Sequence, residues 1–149
     1  MKFFVKGLLL FIAVLLMTGC AKVVIKSDAD PNVNLAALNT FYVQKFDPDN
    51  RGLEQIIANK LNEFGFQATS GVDAVPPYPV DALVTYKDRW MWDLTNYMLE
   101  INIEFRNPES NFMFASGKSY RTSLARKSPE EMIDEVIRDL FQGKVDIPK

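Results

Sequence analysis

The side chains able to do chemistry in this chain are few. Cys20 is the one cysteine among 149 residues, and histidine is absent. Without an imidazole no Ser/His/Asp or Cys/His relay can be assembled, and histidine metal sites and pH switches go with it. Carboxylates remain. Asp81 and Asp88 lie in one β-prone run, and Glu100 and Glu104 share the polar parity of the next. Two such acids converging in a cleft could hydrolyse an envelope polymer or hold a cation. Charges that alternate along a strand ordinarily face solvent and discourage edge pairing, and that is the expectation here. The segment "DADPN", residues 28–32, lacks the glycine and the distal glutamate of a calcium loop, so it reads as a turn. No catalytic residue, metal site or cofactor is expected.

A second concentration is apolar. Arg89, Trp90, Met91, Trp92, Leu94, Tyr97 and Met98 surround "DLTN", residues 93–96, which reads as a hairpin tip. Exposed aromatics of this kind mark partner or ligand surfaces. The same residues could instead pack across the strand pair, since large aromatics are more often buried than displayed. Trp90, Trp92 and Tyr97 are the candidate partner-binding residues. "PPYP", residues 76–79, could serve as a polyproline ligand, but a rigid connection into the next strand accounts for it with less.

What precedes Cys20 sets its role. Lys2 and Lys6 form a positive start, and residues 7–16, "GLLLFIAVLL", are an apolar run of signal-peptide length, short for a membrane span. The following "MTGC" resembles the lipobox of bacterial lipoproteins, with Met17 where leucine is commoner. In that class the cysteine becomes the acylated first residue of the mature chain. At about 0.8 kcal/mol per buried methylene, several palmitate-class chains give stable membrane residence. An acylated Cys20 also leaves the mature domain without a thiol, so packing alone must hold it. Ala21 is not the inner-membrane retention residue Asp of the Gram-negative lipoproteins, which favours the outer membrane, facing the periplasm.

Composition bounds the remainder. Removing residues 1–19 takes two of the 17 basic residues and none of the 19 acidic ones, so the mature charge falls to about −4. No basic patch with interleaved aromatics appears, and no nucleic-acid partner is expected. About 130 residues suit one domain with one core. Residues 20–37 read as the lipidated start, a tether and a candidate first strand, and residues 38–149 as a single α+β domain.

Within that domain "LNTFYVQKF", residues 38–46, alternates as a half-buried strand. Leu53, Ile56, Ile57, Leu61 and Phe64 carry a helical stripe that Gly65 closes. "QATSGVDAVPPYP", residues 67–79, reads as a loop. Residues 80–93 predict a long strand. Leu99, Ile101, Ile103 and Phe105 alternate with Glu100, Asn102, Glu104 and Arg106 in the next. After the turn at residues 107–110, Phe112, Phe114, Tyr120 and Leu124 share one parity of a third strand, together with Ser116 and Lys118. Ser128, Pro129 and Glu131 announce a capped helix whose stripe is Met132, Val136, Ile137, Leu140 and Phe141. The expected architecture is a mostly antiparallel sheet of four or five strands with two amphipathic helices on one face.

The order "SDADPNVNLAALNTFYV", a helix ending "LNEFGF", then "DALVTY", "LEINIEF" and "FASGKSYR" resembles a family of small Gram-negative envelope lipoproteins of unknown function. That resemblance spans nearly the whole mature chain and implies the fold and the address. It assigns no catalytic residue. The resulting expectation is a non-enzymatic, membrane-anchored envelope module acting through protein contacts. The alternative is a periplasmic carrier of a hydrophobic small molecule or lipid, which would need an apolar cavity between sheet and helices.

Overall fold

The computed structural model describes residues 21–144. The leader and Cys20 lie outside the described residues.

Six strands form one mixed sheet: β1 (Val23–Ala29), β2 (Thr40–Gln44), β3 (Gln67–Gly71), β4 (Ala82–Asp93), β5 (Thr95–Arg106) and β6 (Met113–Arg121), in the spatial order β1-β6-β5-β4-β2-β3. β4, β5 and β6 form the expected antiparallel meander, and β1 adds an antiparallel edge to β6. β2 runs parallel to both β4 and β3. The expected four or five mostly antiparallel strands are therefore six in a mixed sheet. The candidate first strand is part of that sheet, so the tether before it shortens to Ala21 and Lys22.

The extra strand is β3, which the sequence reads as loop. "QATSG" has neither apolar alternation nor β-branched density, and its pairing is imposed from outside. α1 (Leu53–Glu63) returns the chain beside β2. The Asn62 side chain then donates to the Ala68 carbonyl at 2.9 Å and accepts from the Ala68 amide at 2.8 Å, acting as a strand partner for one residue. Both ends of α1 are closed by named groups. Asp49 accepts from the Leu53 amide at 2.8 Å, and Gly65, at φ 91°, permits the Phe66 amide to reach the Leu61 carbonyl at 3.1 Å. α2 (Pro129–Phe141) starts with the reciprocal Ser128–Glu131 capping box.

Both helices cover one sheet face. Phe41 and Val43 of β2, Val84 and Tyr86 of β4, and Ile101, Ile103 and Phe105 of β5 are buried in a single cluster with the apolar stripes of α1 and α2. Phe41, Phe66, Phe105 and Phe141 meet with centroids 4.7–6.4 Å apart, edge-on or tilted. β6 departs from its expected parity. Phe114 is buried as expected, but beyond it Ala115, Gly117, Ser119 and Arg121 are the buried positions: α2 lies close over Gly117 and leaves no room for a side chain there, while Arg121 is held by Glu135 of α2. A Cβ on Gly117 would stand 2.6 Å from Val136 Cγ1.

Candidate functional site

The helix-free face carries the two glutamates of β5. Glu100 is met by Lys118 at 2.9 Å, Arg89 at 3.2 Å and the Asn102 amide at 2.9 Å. Burial alone would raise its carboxyl, but these donors outweigh burial and hold it below its ordinary value. Glu104 pairs with Arg106, whose Nε also donates to Thr85 Oγ1 at 3.2 Å. Four residues of strand separate the two acids, about 13 Å. They do not converge.

Asp81 and Asp88 are also apart. Asp81 Oδ2 accepts from the Asn39 amide (2.8 Å), the Thr40 amide (2.9 Å) and the Thr40 hydroxyl (2.9 Å), pinning the start of β4 to the start of β2. Those two amides hold its carboxyl below the ordinary value. Asp88 accepts from Trp90 Nε1 at 2.5 Å. Asp30 closes its own turn by accepting the Asn32 amide at 2.8 Å. Among the described residues no group of three or more acidic, cysteine or histidine side chains could hold a metal ion.

Beside this face, Lys45, Asp47, Thr85, Lys87, Glu104 and Arg106 line an open groove of about 580 Å³. Tyr86 also borders it, and its buried hydroxyl lies 2.7 Å from Asp49 Oδ2 and 3.2 Å from Glu54 Oε2. Burial and the Asp49 carboxylate raise the Tyr86 phenol far above its usual range, so it stays protonated and donates. This cluster ties α1 to β4. Tyr78 of "PPYP" lies against the β2–β3 edge of the sheet, where it meets Tyr42 edge-on with centroids 6.5 Å apart.

The structure separates the three candidate aromatics. A bulge at Arg89/Trp90 skips Leu99 in the β4–β5 register, so Trp90 faces Met98 and Met91 faces Tyr97. Trp90 packs against the core with the Arg51 guanidinium 4.0 Å above its ring. Tyr97 is only 8% exposed and lies under the Arg126 guanidinium. Trp92 alone of the three is displayed, 72% exposed, with Leu94 at the apex 86% exposed and Met91 48% exposed. Leu94 has a φ of 60°, a left-handed conformation that a branched residue rarely adopts and that turns the chain in one step.

Two groups had no sequence signal of their own. Arg126 ties the hairpin to the rest of the domain, donating to Thr95 Oγ1 at 2.7 Å and to the Asp93 carbonyl at 3.2 Å. Glu135 of α2 takes Arg121 at 2.5 Å and Lys127 at 2.6 Å. Both join segments distant in sequence, and a lone charged residue does not reveal its partner.

No protein-family model matches the chain, and no curated protein does. Solved structures do. A PelC dodecamer from Paraburkholderia phytofirmans is 14% identical, with 84% of this chain and all of that chain covered at a TM-score of 0.60. The likeness is one of fold. A DUF4136 family protein from Bacteroides thetaiotaomicron is 10% identical, covering 81% of this chain and 95% of that one at a TM-score of 0.50. The arrangement described above is therefore shared, nearly end to end, with chains of similar length.

Proposed function

We propose that this chain is a lipid-anchored module of the bacterial envelope, held at the outer membrane through acylated Cys20, facing the periplasm and acting by binding rather than catalysis. The observation that carries the reading is the placement of "MTGC" directly before the sheet. Only Ala21 and Lys22 separate Cys20 from β1, so an acyl anchor there would hold the folded domain against the bilayer. Separated carboxylates, each engaged in salt bridges or hydrogen bonds, support a binding role, as does the absence of histidine from the sequence. The PelC structures of the same fold are dodecamers, which supports association with further copies or with an envelope protein. An interior lipid carrier is less well supported, because four phenyl rings fill the space between sheet and helices.

The test is the mass of the N-terminal peptide from protein purified out of envelopes, with Cys20→Ala in parallel. The expected result is a peptide beginning at Cys20 with added acyl mass, and loss of stable outer-membrane fractionation in the variant. An unmodified Cys20, or unchanged fractionation of Cys20→Ala, would sink the anchor reading.

A further inference from the structure

One end of the sheet collects features that the binding role above leaves unused. β5 starts there, β6 finishes there and β1 starts there, because the three strands alternate in direction. Contacts trace the end step by step. The Lys22 amide donates to Thr122 Oγ1 at 3.0 Å, and the Thr122 amide donates to the Lys22 carbonyl at 3.1 Å. Residues 123–125 form a single helical turn, and Arg126 then grips Thr95 and Asp93 on either side of Leu94, at the tip of the β4–β5 hairpin. Ala21 and Lys22 therefore stand at the hairpin's end of the sheet, Lys22 level with Met98 and four strand residues short of Leu94. Two extended residues span about 7 Å, which is the farthest an anchor at residue 20 can stand from Lys22.

The same end displays Met91, Trp92, Leu94 and, from the turn after β6, Leu124, which is 70% exposed. Successive strand residues point to opposite faces, so Met91 and Trp92 project on both sides of the ribbon with Leu94 at its apex. A flat protein surface would cover one side of such a ribbon. A lipid surface can surround both, and tryptophan and leucine beside basic residues are what the interface takes up. Asp93, the acidic group of the tip, is paired with Arg126 at 3.3 Å, and the Lys22 ammonium stands farther up the same end, 5.9 Å over the Tyr120 ring.

We propose that the β4–β5 hairpin tip is a membrane-docking wedge: Trp92 and Leu94, with Met91 and Leu124 at their sides, enter the phospholipid interface next to the acylated Cys20 and stand the sheet end-on to the bilayer. The inference rests on the anchor reading for the position of the acyl chains.

The test uses the full-length protein purified from envelopes and placed in phospholipid vesicles with or without brominated acyl chains, its acylation being measured by mass on the same sample. Emission from wild type and Trp92→Phe is compared, so that the difference reports Trp92 without disturbing Trp90; Trp90→Phe provides the converse. The expected result is a blue-shifted Trp92 signal lost to the brominated chains, with the Trp90 signal unaffected. Acylated protein whose Trp92 is not quenched would overturn the wedge while leaving the anchor standing. A blue shift without quenching would overturn it in favour of a second copy or another protein covering the tip. Quenching of Trp92 in protein that carries no acyl mass would uphold the wedge and remove the anchor. Neither acyl mass nor quenching would remove both.

Discussion

At the residue scale the most consequential group is Glu135. Its carboxylate holds Arg121, Lys127 and, at 3.3 Å, the Ser119 hydroxyl, so a single side chain fastens α2 to the last residues of β6. The Arg121 and Glu135 side chains are only 10% and 15% exposed, which makes removal of one partner costly to the other. Glu135→Gln is expected to lower stability by about 2 kcal/mol, less than the ~3–5 of a fully buried pair because the amide keeps one acceptor. Urea unfolding at neutral pH measures this. Burial raises the Glu135 carboxyl, but hydrogen bonds from Lys127 and Arg121 and their charges outweigh it and hold the group below its ordinary 4.5. A carboxyl depressed in the folded state contributes stability above its unfolded value and loses it as pH falls through the folded one. The gap between wild type and Glu135→Gln should therefore be full at neutral pH and close as pH falls below about 4. A gap that stays constant to pH 3 would show that Glu135 acts through shape rather than charge.

At the element scale, the legible parts are those whose burial pattern comes from their own residues. β5 alternates Ile101, Ile103 and Phe105 with polar partners, and α2 carries both its stripe and its capping box, so these are read correctly without a neighbour; Leu99, expected on the same parity, is skipped by the bulge, and Met98 takes the core position instead. β3 is held by α1, β2 and Asn62, none of which its five residues reveal. β6 misleads in a different way. Beyond Phe114, which is buried, Ala115, Gly117 and Ser119 lie under the helix because close packing excludes bulk there, and the one long side chain of that parity, Arg121, is taken up by Glu135. The candidate site follows the same rule. Composition locates the apolar hairpin, but the bulge and the Arg51 and Arg126 contacts decide which rings are displayed, and only Trp92 remains outside. Close packing of α2 on β6 gives a direct test. Gly117→Ala should cost about 1–3 kcal/mol, because its new methyl meets Val136 Cγ1, which is fixed on a branched side chain. Val136→Ala should recover part of that loss, and a favourable coupling of about 1 kcal/mol in the double-mutant cycle is the expected reading. Strict additivity would mean that the helix shifts as a body instead.

At the scale of the whole molecule, the domain has three distinct exteriors: helices on one face, paired charges on the other, and an apolar end. An end-on stance assigns each a surrounding. Interfacial segments sink about 5–10 Å into the headgroup region, roughly two to three residues of strand, so burial should stop close to the tip. Lys22, bonded to Thr122 and so level with Met98, stands about 13 Å of strand from Leu94, just beyond that depth and nearest to the headgroups of the three lysines compared. Lys26 lies four residues up β1 and Lys87 six residues from Asp93, both exposed, so they should remain in water with the rest of the polar face. Amine labelling of the full chain in detergent and then in vesicles separates this stance from one lying flat. End-on docking slows modification of Lys22 alone, whereas a sheet lying on the bilayer by its charged face would protect Lys26 and Lys87 as well. In the first case the helix-free face, with its groove beside Arg106, stays open to solvent and to a partner; in the second the membrane itself covers it. A chain that labels at all three positions equally in both media would leave the proposed acyl anchor as its sole link to the bilayer.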